Sequence, residues 1–169
     1  MPALQLPADV EAVLRSFFTC EFTTLNQAGE PLTWPVEPFF DAAAGEIVAT
    51  ASIAFPVKAL NARRNPHVAL LYSDPTGSGL DDPPAVLIQG DARVEESREW
   101  TPRTAEYFRL SVIRQPDSRK FIANPLARRL FAFYFQRLNI TVQPRRVLVW
   151  PRRDFSVAPT EIGLAARVE

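Results

Sequence analysis

The sequence predicts a mainly β protein with peripheral helices, an α+β fold built as an antiparallel barrel. Three observations predict it. Strand-like runs follow one another through turn-sized connections. One short helix at most separates any two of the first five strands. The long helical stretches are collected in one block after the fifth strand. Hairpin connections with few crossover helices belong to antiparallel sheets, whereas a parallel sheet needs a crossover between each pair of strands.

Taken in order, residues 7–18 read as a helix, with Pro7 and Asp9 suited to its start and Val10, Val13, Leu14 and Phe17 on one face. Residues 19–26 alternate and read as a strand. A turn at 27–30 leads to a second strand over 32–40, in which Pro35 and Pro38 remove backbone donors. After a turn at 41–45 comes a third strand over 46–50. A short helix begins at Pro56 and stops before Asn65 and Pro66. Strands at 67–73 and 85–95 flank a Pro-, Gly- and Asp-rich loop, with Gly90 a bulge or close-approach point. Helical stretches at 97–114 and 118–136 form an insert, the second broken by Pro125. Residues 140–150 close the barrel as one or two strands, and 157–169 are expected to be a mobile tail or an arm. Residues 1–156 thus make a single domain.

The chain has 169 residues, 47% of them hydrophobic, enough for one sizeable core. Its net charge is zero, but the signs are unevenly placed. Residues 1–96 carry 5 basic and 13 acidic side chains, residues 97–169 carry 14 and 6. That asymmetry suits two parts that pack together, within one chain or across a dimer. No nucleic-acid motif accompanies the basic part, so no nucleic-acid partner is expected. Nor does any apolar run reach about 18 residues, so no membrane span is expected. The N-terminal residues lack the pattern of a secretory signal, and the default expectation is a cytoplasmic protein.

Catalytic side chains are scarce. His67 and Cys20 are the single histidine and the single cysteine, so neither a disulfide nor a His/Cys metal site is expected. A histidine at a strand start reads as structural, and Cys20 as a small core residue. Gly77, Ser78 and Gly79 form a loop tip without the strand-turn-helix of a nucleophile elbow. There is no phosphate-binding loop of the nucleotide-hydrolase type. Trp34, Trp100 and Trp150 serve either ligand stacking or packing.

Lys58 stands out. It is one of two lysines and lies in the first turn of the short helix, where the helix dipole disfavours a cation. Thr50 and Ser52 place hydroxyls just before that helix, and its free amides make an anion site. Lys58 therefore either faces a bound phosphate or is a solvated surface charge.

The run TASIAFPVKALNARRNP, residues 50–66, resembles the phosphate-binding segment of the pyridoxamine 5'-phosphate oxidase-like flavin-binding split-barrel superfamily. GEPLTWPVEPFFD at 29–41 is similar to its hairpin strand beside the flavin ring. VLIQGDARV at 86–94 is similar to its Gly-x-Ala-x-Val strand, and PRRVLVWP at 144–151 to its closing strand. The four run in family order over about residues 15–152. The resemblance implies a split β-barrel homodimer with flavin sites at the subunit seam. It places Thr50, Ala51, Ser52 and Lys58 at the phosphate, with Asn61 assisting. It sets Trp34, Pro35 and Val36 against the flavin ring, and makes Gln89 and Trp150 further contacts, from the second subunit. The resemblance gives no catalytic side chain and no metal.

Two departures qualify that likeness. The oxidases of vitamin B6 metabolism carry an Arg-Leu-His-type motif after the closing tryptophan, whereas Trp150 is followed by Pro151, Arg152, Arg153, Asp154 and Phe155. The Arg-Lys pair usual at the phosphate is Val57 and Lys58 here, one charge fewer. The function implied is an oxidoreductase acting on a small molecule with FMN, not a pyridoxamine phosphate oxidase. The alternatives are a reductase using the deazaflavin F420, with Arg63 and Arg64 along its tail, or a flavin or haem carrier without turnover.

Overall fold

A computed structural model of the chain describes residues 5–97, 102–114 and 136–164. Its elements follow the order α1 (Ala8–Ser16), β1 (Cys20–Leu25), β2 (Pro31–Val36), β3 (Phe39–Asp41), β4 (Glu46–Ser52), α2 (Val57–Arg64), β5 (His67–Tyr72), β6 (Ala85–Ser97), α3 (Pro102–Arg114), β7 (Arg137–Trp150) and β8 (Thr160–Ile162). All strand pairings are antiparallel, in the order β2-β1-β5-β6-β7-β4-β3, with β8 added to β7. This is a split barrel with helices at its periphery.

The predicted apolar face of α1 is the buried one: Val10, Val13, Leu14 and Phe17 are at most 1% exposed. They join Phe22, Ile47, Leu70, Tyr72, Ile88 and Ile140 in one core. Cys20 lies in that core too, and burial pushes its thiol far above its ordinary range.

Two differences from the sequence reading have clear causes. The strand expected over 32–40 is two strands, β2 and β3, because the chain turns at Glu37 and Pro38. Part of the expected tail, Thr160–Ile162, is not loose: it pairs with β7 at Val147, Leu148 and Val149. The helix expected over 118–136 lies outside the described residues, and of the one expected over 97–114 the structure describes α3.

β7 is one continuous strand in spite of Pro144. The pairing shifts between Gln89 and Gly90, which face Arg146 and Pro144 and leave Arg145 as an extra residue. On its other side β7 pairs with β4 through Val142 and with β8 from Val147. Pro144 falls in the gap between them, where a missing N–H costs no ladder bond. Gly90 is needed opposite, since a Cβ there would collide with the Gln143 carbonyl oxygen.

The same bulge accounts for His67. Its Nδ1 lies 2.8 Å from Asp91 Oδ1, and Arg145 Nε lies 3.1 Å from Asp91 Oδ2. This exposed trio ties β5, β6 and the bulged residue of β7, a structural role as expected of it.

Candidate functional site

β4 delivers its hydroxyls at the sheet's end. Thr50 and Ser52 are two residues apart, so their side chains share one face of the strand. Thr50 is 8% exposed, and its Oγ1 is buried without a hydrogen-bond partner among the described residues. An orphaned buried hydroxyl costs about 1–3 kcal/mol, which a ligand oxygen at the site would recover. Ser52 Oγ accepts from the Ala54 N–H at 3.2 Å, and the Phe55 N–H bonds the Ser52 carbonyl at 2.9 Å. These two bonds fold the chain into the turn that starts α2.

α2 then begins without a side-chain cap, Pro56 standing at its N-cap. Its first amides, Val57 to Ala59, have no partner within the helix. Lys58 is half-buried beside them and has no carboxylate partner among the described residues. Burial holds its ammonium below the usual lysine range, and the nearby Arg137 guanidinium lowers it further. An uncapped helix start, an orphaned hydroxyl and a half-buried lysine are together suited to an oxyanion.

Arg137 escaped the sequence reading. It opens β7 directly opposite Ser52 and is 6% exposed. Its Cζ lies 5.4 Å from the ring centroids of both Tyr107 and Phe108, so α3 holds it by cation–π contact. No local pattern marks it, because its neighbours come from β4 and from the helical insert.

Asn61 is buried one turn along α2. Its Nδ2 donates to Thr24 Oγ1 at 3.2 Å, and its Oδ1 accepts from Arg64 Nη1 at 3.3 Å. Both of its polar ends therefore have partners within the chain, tying α2 to β1. Arg63 pairs with Glu96 at 3.7 Å.

The flavin-ring candidates sit on β2. Trp34 and Val36 turn toward the core, Val36 within it and Trp34 packed against it. Pro35 is exposed. Among the described residues β2 pairs with β1 alone, so its other edge presents free backbone groups. Ala51 is buried opposite Leu138. Gln89 faces Arg146 across the β6–β7 pair, and Trp150 ends β7 with its ring 5.5 Å from that of Phe155. Arg137 and Trp150 are the two ends of β7, separated by roughly 40 Å of extended strand. Thr50, Ala51, Ser52 and Lys58 are thus gathered at one place, whereas Gln89 and Trp150 lie toward the far end of the β6–β7 pair.

A second polar cluster lies behind Arg137. Glu37, at the β2–β3 turn, accepts from Ser111 Oγ at 2.5 Å through Oε2. Its Oε1 lies 3.7 Å from Arg114 Nη1, too far for a hydrogen bond, and is buried. Arg114 is committed elsewhere, donating to the Pro38 carbonyl at 2.9 Å and the Arg15 carbonyl at 3.1 Å. Burial raises the Glu37 carboxyl, and Ser111, Arg114 and Arg137 offset only part of that rise.

The consequence is a signed pH dependence. The folded state keeps the Glu37 proton at pH values above 4.5, where the unfolded chain has lost it. Stability therefore falls as pH rises from about 4.5 through the raised folded value. Glu37→Gln cannot titrate. Urea unfolding from pH 4.5 to 7.5 should show the variant gaining on the wild type as pH rises, then a constant difference. A difference that stays flat or runs the other way would contradict the burial account.

The all-antiparallel sheet with its peripheral helices defines a class by architecture, the split-barrel proteins. Comparison with known proteins narrows this by fold. No family model matches the chain, and no curated protein does. Solved structures do. A conserved hypothetical protein from Mycobacterium tuberculosis is 22% identical with a TM-score of 0.58, over 96% of each chain. A protein described as an F420 reductase is 20% identical with a TM-score of 0.58, over 84% of this chain and 98% of its own. A putative pyridoxamine 5'-phosphate oxidase from Listeria innocua is 17% identical with a TM-score of 0.52, over 83% and 94%. The chain has the split-barrel fold of the pyridoxamine 5'-phosphate oxidase-like proteins. Among the described residues no helix is long and apolar enough to cross a membrane, and no group of metal-ligating side chains occurs.

Proposed function

We propose that the protein is a flavin-dependent oxidoreductase that binds FMN, with the phosphate at Thr50, Ser52, Lys58 and the first amides of α2. The observation that carries this reading is the buried, partnerless Thr50 Oγ1 beside the uncapped helix start. FMN supplies hydride or electron transfer when bound. The chain's own part is to hold the phosphate, set the ring against the edge of β2 near Pro35, and exclude water. No histidine, cysteine or metal is required for that work, which suits a site offering none.

The active unit in this reading is a homodimer. Ile53, Phe55, Val57 and Leu60 are exposed around the anion corner, an apolar surface that a second copy would cover. Gln89 and Trp150, remote from that corner in their own chain, would reach a flavin only from the partner. The substrate is a small molecule taken up beside the ring.

The deciding experiment is an absorption spectrum of the purified protein, followed by separate titrations of apoprotein with FMN, riboflavin and F420. Stoichiometric FMN binding, much tighter than that of riboflavin, is the expected result. Tight binding of F420 alone would move the protein to the deazaflavin users, and binding of none of the three would overturn the reading.

A further inference from the structure

We propose that Glu37 is a proton-controlled latch for α3: the closed contact between this helix and the β2–β3 turn holds the neutral carboxyl, and loss of its proton lets the helix open locally. The geometry is that of a buried acid provided for only in part. The Glu37 side chain is 9% exposed, and its Oε1 has no hydrogen-bond partner among the described residues. Ser111 Oγ of α3 reaches Oε2 at 2.5 Å. Arg114, at the end of α3, stops with Nη1 3.7 Å from Oε1. Its guanidinium is held instead by the Pro38 and Arg15 carbonyls and lies 5.8 Å from the centroid of the Phe18 ring. A neutral carboxyl needs little more than Ser111 supplies. A carboxylate needs donors at both oxygens, and a buried charge without them is costly. Ser111 and Arg114 both come from α3, so the helix that covers the carboxyl is the one that its charge would displace.

The neighbours of Glu37 set the sign. Arg114 of α3 and Arg137 of β7 favour the carboxylate, as does the Ser111 hydroxyl, yet burial outweighs them and the carboxyl stays above its ordinary 4.5. From α1, Arg15 offers this cluster its carbonyl, while its guanidinium pairs with Glu11. Cys20 of β1, Tyr72 of β5 and Tyr107 of α3 lie near Arg114, and burial raises the Cys20 and Tyr72 groups, so both are neutral near pH 7. The closed state thus keeps a proton that the open state loses, and opening is favoured as pH rises from about 4.5 through the raised closed-state value. α3 also lays Tyr107 and Phe108 near Arg137, which faces Ser52, so its release uncovers the adjoining ends of β4 and β7.

Hydrogen exchange of the full chain, read by mass spectrometry as protection factors from pH 4.5 to 7.5, tests the latch. α3 amides should be less protected than those of β6 and β7 throughout, the mark of a separate local opening. Their protection should fall at least about threefold as pH rises and then level off. Glu37→Gln, which cannot titrate, should abolish the fall. Equal protection of α3 and the β6–β7 pair, a flat wild-type profile, or a fall that survives in Glu37→Gln would each overturn the proposal. Should Glu37→Gln fail to fold, Ser111→Ala decides the matter. It removes a donor that favours the carboxylate, so the fall should continue to higher pH than in the wild type, and an unchanged profile would overturn the latch.

Discussion

Lys58→Met is expected to bind FMN about ten- to hundredfold more weakly than the wild type, while its apoprotein is no less stable. The two halves of this expectation share one cause. Burial and the Arg137 charge hold the Lys58 ammonium below its usual range of 10.5. A lysine depressed in this way costs stability wherever the folded state must carry the charge, and the cost vanishes as pH rises toward 10.5. Methionine fills the same half-buried space without the charge. The apoprotein is therefore relieved of a repulsion, and the liganded protein loses an attraction. Paired titrations with FMN and riboflavin, with thermal unfolding of the apoprotein, separate the two effects. A variant that unfolds at markedly lower temperature would mean that Lys58 is part of the scaffold, and unchanged FMN affinity would remove it from the site.

Gly90→Val is expected to be among the most damaging substitutions in the barrel. A Cβ at position 90 would overlap the Gln143 carbonyl oxygen and press on the Val142 side chain. Backbone cannot swing aside as the end of a long side chain can. Position 90 also lies at the bulge where β6 and β7 change register, so any shift would be transmitted along the longest strand pair of the fold. Overpacking in a core costs typically about 1–3 kcal/mol, and this site belongs at or beyond the upper end. Urea denaturation of Gly90→Val against the wild type measures it. A loss well under 1 kcal/mol would show that the bulge can yield.

Both positions were visible in the sequence for local reasons. Gly90 stands inside an otherwise regular strand, where glycine has little else to offer. Lys58 stands at a helix start, where a cation opposes the dipole. The Thr50, Ser52 and Lys58 corner was legible because its members lie within nine residues on a strand, a turn and a helix. Asn61 was legible as a polar residue of α2, but its Thr24 partner was not, since 37 residues separate them. Arg137 and Glu37 were not legible at all. Each is an ordinary charged residue until β7 meets β4 and α3 packs over the β2–β3 turn.

By itself, then, the sequence determined what depends on near neighbours. The buried face of α1, the alternation of the strands, the antiparallel class and the closeness of Thr50, Ser52 and Lys58 are all written in local sequence. Only the tertiary structure decided the rest. Pairing set Arg137 opposite Ser52, split the strand at Glu37 and Pro38, bound Thr160–Ile162 to β7, and sent Gln89 and Trp150 toward the other end of the hairpin. Those outcomes rest on which strand lies beside which, and strand neighbours far apart in the chain leave no mark within either segment alone.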